Sequence, residues 1–164
     1  MNYPNQHEYD DVTMLAMENA IRTFYKHGDI EAVEFYKMDD RRNVVGKIDG
    51  QIIVTLNNRH EMNLQIKRSD KYRDSFSVKG STLRDYITGN FNIQGLLIGL
   101  AYDENMYLFR WNEFVDFASE VYPQWKSKHG DYYVIQLGDL TDNLYYRELP
   151  YDKNDYEKLA NVWE

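Results

Sequence analysis

The sequence predicts one domain of the α/β or α+β class, with a mixed central sheet flanked by helices. Three observations favour this class. Short apolar runs bounded by turn residues recur along the chain, as expected of strands. Segments with the apolar spacing of helices lie among them. The length of 164 residues allows a real core but suits one domain, residues 1–164, better than two.

The N-terminal part predicts a helix, a strand and a charged turn. Residues 10–27 carry several apolar side chains near one helical stripe, and Gly28 is a natural stop for that helix. Residues 30–38 have the composition of a strand, and the charged residues 39–43 are expected to form the turn that ends it.

A β-hairpin is expected next, and the candidate functional residues lie on it. Its strands are the apolar runs at residues 52–56 and 62–66, which flank a short polar turn. Because side chains alternate along a strand, Gln65 and Lys67 share the polar face of the second run. A half-buried strand normally turns such a face to solvent. Asp49 precedes the first run, however, so an acid, an amide and an amine can converge at the open end of the hairpin.

Four further strands are predicted from apolar runs in the second half, at residues 76–79, 94–102, 106–111 and 132–137. The run at 94–102 is the most continuous, which is typical of a central strand that is buried on both faces.

Two helices are expected between these strands. One covers residues 82–87, with Gly80-Ser81 offering its N-cap, and the other covers residues 112–121, with Asn112 as its cap and Pro123 closing it. The C-terminal part is less regular: a loop at 138–143, an ambiguous segment at 144–149, and a tail or short helix at 150–164.

Composition excludes several classes of protein. The chain has no Cys, which excludes a disulfide framework and a thiolate metal site, and its four His lack the spacing of a zinc site. No apolar run approaches the ~18 residues of a membrane span, and the polar, acidic N-terminus does not have the pattern of a signal peptide. We therefore expect a cytoplasmic protein without a membrane partner.

Charge is distributed unevenly. The net charge of -8 argues against a protein that coats nucleic acid in general, because such proteins are normally basic. Residues 59–84 nevertheless hold seven Lys or Arg and only three Asp or Glu. This basic segment is either a solvated loop or a track for an anionic substrate.

The order Ile48-Asp49-Gly50, apolar strand, turn and Gln65-Ile66-Lys67-Arg68 resembles the core of the PD-(D/E)xK nucleases. More narrowly, it is similar to the branch typified by Mrr-type restriction endonucleases, in which an Ile-Asp-Gly is followed by a Gln-x-Lys. Nuclease-like domains of bacterial defence loci carry a similar pattern. The resemblance covers roughly residues 8–115 and implies a restriction-endonuclease-like fold.

The resemblance also implies a catalytic site. Asp49, Gln65 and Lys67 would be its catalytic residues, with Mg²⁺ or Mn²⁺ bound by Asp49, Gln65 and the backbone carbonyl of Ile66. Lys67 would orient or deprotonate water, or neutralise developing charge. In this family a Glu of the first helix often adds a carboxylate, and Glu18 matches it by position; a Glu at the boundary of the core is the alternative interpretation.

Gln65 stands where the commonest family pattern has Glu. The neutral amide removes one negative charge, so it should weaken metal binding, and it leaves catalysis itself open. Residues of the basic segment are expected to contact nucleic acid: Arg68, Lys71, Arg73 and Lys79.

Three functions follow from these patterns. The first is a metal-dependent endonuclease that hydrolyses phosphodiester bonds in DNA or RNA, with bacterial defence as its expected setting and a second copy or a defence protein as partner. The second is a catalytically inactive nuclease-fold protein that binds nucleic acid or protein. The third is a small acidic interaction module of the inhibitor or immunity type, which the net charge of -8 favours.

Overall fold

The computed structural model describes residues 30–36, 40–54, 60–68, 74–99, 105–127 and 130–150. Their strands, in chain order, are β1 (Ile30–Phe35), β2 (Gly50–Val54), β3 (His60–Arg68), β4 (Ser75–Lys79), β5 (Gly95–Gly99), β6 (Asn105–Arg110), β7 (Tyr132–Gln136) and β8 (Tyr146–Pro150). The helices are α1 (Arg41–Val44), α2 (Gly80–Thr88), α3 (Trp111–Val121) and α4 (Leu137–Thr141), with a 3-10 helix at Tyr122–Trp125.

Six of the strands form a mixed sheet in the order β1-β2-β3-β5-β6-β8, and β4 pairs with β7 in a separate two-stranded sheet. The pair β3/β5 is parallel, with Leu64 opposite Gly95, and the other neighbours in the large sheet are antiparallel. A parallel pair needs a crossover, and here β4 and α2 supply it. The mixed α/β class predicted from the sequence is confirmed.

The central strand and the hairpin follow the sequence pattern. Every residue of β5 is buried, as the continuous apolar run predicted. The predicted hairpin is confirmed as β2 and β3, which pair antiparallel with Ile52 opposite Met62. The strands predicted at residues 30–38, 76–79, 106–111 and 132–137 are confirmed as β1, β4, β6 and β7.

One buried cluster joins a face of the large sheet to α2, α3 and the small sheet. Leu96 and Ile98 of β5 contribute to it from the large sheet, because alternate residues of the strand point to the same face. Leu83 of α2 and Phe114 of α3 cover them, and both are almost completely buried. This face of the sheet carries the candidate site.

Three helices begin without a capping side chain, including the two for which the sequence suggested one. α2, α3 and α4 start directly after β4, β6 and β7, and the last strand residue is the N-cap in an extended conformation, with no side-chain cap hydrogen bond. Ser81 and Asn112 therefore lie inside their helices, and their prediction as caps was wrong. A strand that runs straight into a helix leaves no loop residue to act as a cap.

Two predicted irregular segments are also wrong. Residues 138–143 were expected to be a loop, but Leu137–Thr141 is a short helix that buries Leu137 and Leu140. The charged turn at 39–43 contains α1, which Asp40 caps by accepting a hydrogen bond from Arg42 N at 2.9 Å. The ambiguous segment at 144–149 contributes to β8.

Two further predictions concern the ends of the chain. The helix at residues 10–27 and most of the C-terminal tail lie outside the described residues. Within the described part of the chain, no helix has the length and apolar character needed to cross a membrane.

Candidate active site

Asp49 lies at the point where the chain enters β2. Gly50 is opposite Leu64 in the antiparallel register, so Asp49 comes opposite Gln65. The Asp49 amide donates to the Leu64 carbonyl at 2.7 Å, and its own carbonyl accepts from Tyr36 N at 2.7 Å. The backbone of this residue is therefore fixed from both sides, and the residue is only 9% exposed.

The Asp49 carboxylate is bound to the backbone of β3. Its Oδ2 accepts a hydrogen bond from the Ile66 amide at 2.8 Å, in a buried setting. A strand residue points its N–H and its C=O towards the same neighbour. The Ile66 carbonyl consequently faces the side of β3 on which the Asp49 carboxylate lies, so two oxygen donors share one side of the strand.

The charge state of Asp49 is set by opposing effects. Burial raises the pKa of Asp49 to about 6. The Ile66 amide, the positive charges of Lys67 and Lys47, and a hydrogen bond from the Asn43 side chain all lower this pKa, but they do not offset the burial. More positive charge beside the carboxylate would therefore favour its ionised form.

Lys67 lies on the same face of β3 as Gln65, by the two-residue period of the strand. Its side chain is half-buried, and its Nζ is 5.6 Å from the centroid of the Tyr86 ring of α2. A cation at this distance over an aromatic face is attracted to it. Tyr86 in turn packs edge-on against Trp111, with ring centroids 5.1 Å apart and an interplanar angle of 78°.

The negative charge of Asp49 also affects the pKa of the Tyr86 hydroxyl. Burial raises the pKa of the Tyr86 hydroxyl far above its usual value, and the negative charges of Asp49 and Asp85 raise it further. The structure thus brings Asp49, Lys67 and a buried tyrosine together at the junction of β2, β3 and α2. Tyr86 was not predicted from the sequence as part of this site.

Gln65 is 4% exposed and makes a specific contact. Its Nε2 donates to the backbone carbonyl of Lys47 at 2.8 Å. Lys47 has a φ of 58°, in the left-handed region that residues other than Gly rarely adopt. Gln65 therefore lies beside Asp49, and its amide nitrogen is already hydrogen-bonded to a backbone carbonyl. Its role as a metal ligand stays a prediction.

The segment between α1 and β2 folds back tightly on itself. Ile48 N donates to the Arg42 carbonyl at 3.0 Å, and a Cβ at Gly46 would lie 2.9 Å from that same oxygen. Glycine is needed here because of this close approach. The resulting turn, residues 45–48 and called here the α1–β2 turn, brings Lys47 near the Asp49 carboxyl, on which Asn43 of α1 also acts.

Neither Asn43 nor Lys47 was identified from the sequence. Lys47 lies two positions before Asp49, but its φ of 58° is not that of an extended strand, so strand periodicity could not have identified it. Asn43 has no sequence signal either, because it lies in α1 and acts on the carboxyl only through the tertiary fold.

Arg42 holds α1 in position. Its guanidinium is 3.6 Å from the centroid of the Tyr36 ring, and it donates to both Asp40 oxygens, from Nε at 2.9 Å and from Nη2 at 2.7 Å. These hydrogen bonds lower the pKa of Asp40 to about 2. Tyr36 is the residue whose amide donates to Asp49 O, so the ring stack connects α1 to the strand beside the site.

The predicted nucleic-acid contacts are only partly described. Lys79 is exposed at the end of β4, on the strand face opposite to Val78, which packs in the buried cluster. The backbone of Arg68 ends β3 opposite Gly99. The side chain of Arg68 and the whole of Lys71, Arg73 and Glu18 lie outside the described residues.

The oxygen donors of the site fit a hard divalent cation. No group of three or more His, Cys, Asp or Glu that could hold a metal occurs within the described segments, where Asp49 is the buried carboxylate. Mg²⁺ commonly takes one or two protein carboxylates, keeps several waters, and completes its shell with substrate phosphate. The Asp49 carboxylate and the Ile66 carbonyl are the groups here that could serve as such oxygen ligands.

Comparison with known proteins adds nothing to this geometry: the chain matches no protein-family model and no curated protein.

Proposed function

We propose that this protein is a metal-dependent nuclease of the PD-(D/E)xK type, hydrolysing phosphodiester bonds of DNA or RNA with Mg²⁺ or Mn²⁺. The observation that carries the proposal is the 2.8 Å hydrogen bond from the Ile66 amide to Asp49 Oδ2. It joins the acid of the Ile-Asp-Gly segment to the residue between Gln65 and Lys67, the grouping that the sequence resemblance requires.

Different residues of the chain would bind the cation and the phosphate. Asp49 and the Ile66 carbonyl would hold the cation, which supplies Lewis acidity and lowers the pKa of bound water. Lys67 contributes a point charge that suits a phosphate oxygen. The Tyr86 ring limits where the Lys67 ammonium can lie, with 5.6 Å between Nζ and the ring centroid.

The electrostatics of Asp49 support a cation at this position. Burial raises the pKa of Asp49 to about 6, and the Ile66 amide, Lys67, Lys47 and Asn43 only partly offset this effect. A divalent cation would stabilise the ionised form, and binding the cation would release the proton below that pH.

The fold supports the proposal at a coarser level. A mixed sheet with helices against one face, and an antiparallel hairpin whose second strand has a parallel partner, agrees with the restriction-endonuclease-like architecture that the resemblance implies. We propose that architecture for the domain.

A second candidate is a nuclease-fold protein that binds nucleic acid without cleaving it. The observation that favours it is Gln65, whose amide nitrogen binds Lys47 O instead of leaving a carboxylate for metal. With Gln65 neutral, the described part of the site carries one carboxylate, and its affinity for a divalent cation is correspondingly lower.

A cleavage panel separates the candidates. Supercoiled DNA, single-stranded DNA and RNA are incubated with the protein and Mg²⁺ or Mn²⁺, with and without EDTA. Cleavage that EDTA stops, and that Asp49→Asn and Lys67→Ala each remove, supports the nuclease. Asp142→Asn and Lys126→Ala, at exposed positions, are the matched controls. Binding without cleavage favours the second candidate, and neither binding nor cleavage favours the acidic interaction module.

A further inference from the structure

The hydrogen bond from Gln65 to the Lys47 carbonyl has a consequence for the identity of residue 65. A carbonyl oxygen only accepts hydrogen bonds, so a side chain 2.8 Å from it must present a donor. The amide of Gln has one, whereas an ionised carboxylate has none and would repel the carbonyl. Gln65 is almost completely buried, so water cannot easily take the place of the donor.

The residue that accepts this bond is held in an unfavourable conformation. Lys47 has a φ of 58°, and the left-handed region disfavours side chains with a Cβ. Such a conformation persists where the surroundings fix it. Here two contacts fix the α1–β2 turn: the Gln65 amide on the Lys47 carbonyl, and Ile48 N on the Arg42 carbonyl at 3.0 Å.

The turn carries one of the groups that act on the acid of the site. The charge of Lys47 favours the ionised form of the Asp49 carboxyl. If the Lys47 carbonyl loses its donor, the strained residue can relax, and its side chain loses the geometry that keeps it there.

We propose that Gln65 is a positioning residue: its Nε2 donor holds the α1–β2 turn so that Lys47 supplies a second positive charge beside Asp49. Lys47 thereby adds its positive charge to that of Lys67 for an anionic substrate. This assignment rests on the proposed nuclease function. It also explains why Gln occupies the place where Glu is commoner in the family that the chain resembles, because an ionised Glu has no donor for this bond.

Hydrogen exchange of the Ile48 amide measures the state of the turn in the metal-free full chain. Gln65→Met removes the donor at nearly constant volume, and Gln65→Glu replaces it by a carboxylate. Gln124→Glu adds the same charge at an exposed position and is the matched control. At pH 7.5 both Gln65 variants should lose about tenfold in protection at Ile48, while the control and the Ile98 amide of β5 stay unchanged.

A pH series distinguishes a lost donor from general damage to the fold. Burial raises the pKa of the introduced carboxyl, and below that pKa it carries an O–H that can donate to the Lys47 carbonyl. Protection in Gln65→Glu should therefore return on acidification, while Gln65→Met stays unprotected. The other groups that act on this region are Asp49, Lys47, Lys67 and Tyr86. Because the wild type contains the same groups, the pH dependence of its Ile48 protection is the reference for both variants.

A Mn²⁺ titration of the same variants distinguishes positioning from ligation. If Gln65 only positions the turn, Gln65→Glu binds Mn²⁺ no more tightly than the wild type. Unchanged Ile48 protection in both Gln65 variants overturns the proposal, and so does tighter Mn²⁺ binding by Gln65→Glu with protection intact. A wild type that binds no Mn²⁺ contradicts the nuclease function instead, and the exchange result still decides whether Gln65 holds the turn.

Discussion

Asp49 and Ile66 are joined by a buried hydrogen bond of 2.8 Å, although 17 positions separate them in the sequence. The bond connects the start of β2 to the middle of β3, and it orients the only buried carboxylate found in the described residues. The acid is held by the backbone of the strand that carries Gln65 and Lys67, so its position is insensitive to surface substitutions.

The first prediction concerns the stability of Asp49→Asn. The folded-state pKa of about 6 lies above the unfolded value of 3.8, so the folded protein binds the proton more tightly. Stability without metal should therefore fall as pH rises from about 4 to 6, by about 3 kcal/mol in total. Asn is always neutral and its Oδ1 can still accept from Ile66 N, so the variant should be more stable than the wild type at pH 7.5.

Urea unfolding in EDTA across pH 4–8 measures this difference in stability. Asp142→Asn, at an exposed position, should keep the pH dependence of the wild type. A less stable Asp49→Asn at pH 7.5 would show that the carboxylate is a structural group.

The second prediction concerns the aromatic contact of Lys67. Tyr86→Phe keeps the ring under the ammonium and the packing on Trp111, so cleavage and thermal stability should stay close to wild type. Tyr86→Leu removes the aromatic face while filling much of the space. The cleavage rate should therefore fall clearly, whereas the melting temperature should change little. The cleavage rates and melting temperatures of Tyr86→Phe and Tyr86→Leu test this prediction. Equal cleavage by both variants would exclude a role for the aromatic ring.

The third prediction separates the charge of Lys47 from its backbone strain. Lys47→Ala and Lys47→Gly remove the same ammonium, but only Gly adopts a φ of 58° without penalty. We expect equal loss of nucleic-acid affinity in both, with Gly the more stable by up to about 1 kcal/mol. Affinity by fluorescence anisotropy and unfolding in urea give the two quantities. An affinity that follows stability instead of charge would contradict a contribution of the Lys47 charge to binding.

The fourth prediction concerns Gly46. A Cβ at this position would meet the Arg42 carbonyl at 2.9 Å, and a backbone oxygen cannot move aside as a flexible side chain can. Gly46→Ala should therefore destabilise the protein by about 1–3 kcal/mol and displace the α1–β2 turn. Gly138→Ala is the control, since nothing lies within 4 Å of its added methyl group. Equal melting temperatures for the two variants would show that the turn tolerates the contact.

The fifth prediction concerns the basic segment. Exchanging Arg68, Lys71 and Arg73 together for Ala should weaken nucleic-acid binding. It should also reduce the slope of log affinity against log salt, by about 0.7–0.9 for each phosphate that the protein no longer neutralises. Lys126→Ala, an exposed Lys outside the segment, should leave the slope unchanged. A wild type without salt-dependent binding at low ionic strength would exclude a substrate track.

The elements that follow from local patterns were predictable from the sequence. Two short apolar runs joined by a polar turn predicted the hairpin, and the two-residue period of a strand put Gln65 and Lys67 on one face. The continuous apolar run predicted the buried strand β5. The helix starts were not predictable, because their N-caps are strand residues without a capping side chain.

The parts of the site that depend on tertiary contacts were missed. Asn43 comes from α1 and Tyr86 from α2, and no periodicity relates either position to Asp49. The partner of Gln65 was missed for a different reason: it is a backbone carbonyl, whose direction is set by the left-handed conformation of Lys47. A sequence pattern does not show in which direction that carbonyl points.

The proposed metal site at Asp49 is tested most directly by calorimetric titration of Mn²⁺ into the wild type, Asp49→Asn and Asp142→Asn at pH 7.5, where Asp49 is ionised. We predict saturable binding to the wild type and to Asp142→Asn, with proton release that increases as the pH is lowered towards 6, and loss of that binding in Asp49→Asn. Equal Mn²⁺ binding by the wild type and Asp49→Asn, or none by the wild type, would contradict a metal site at Asp49.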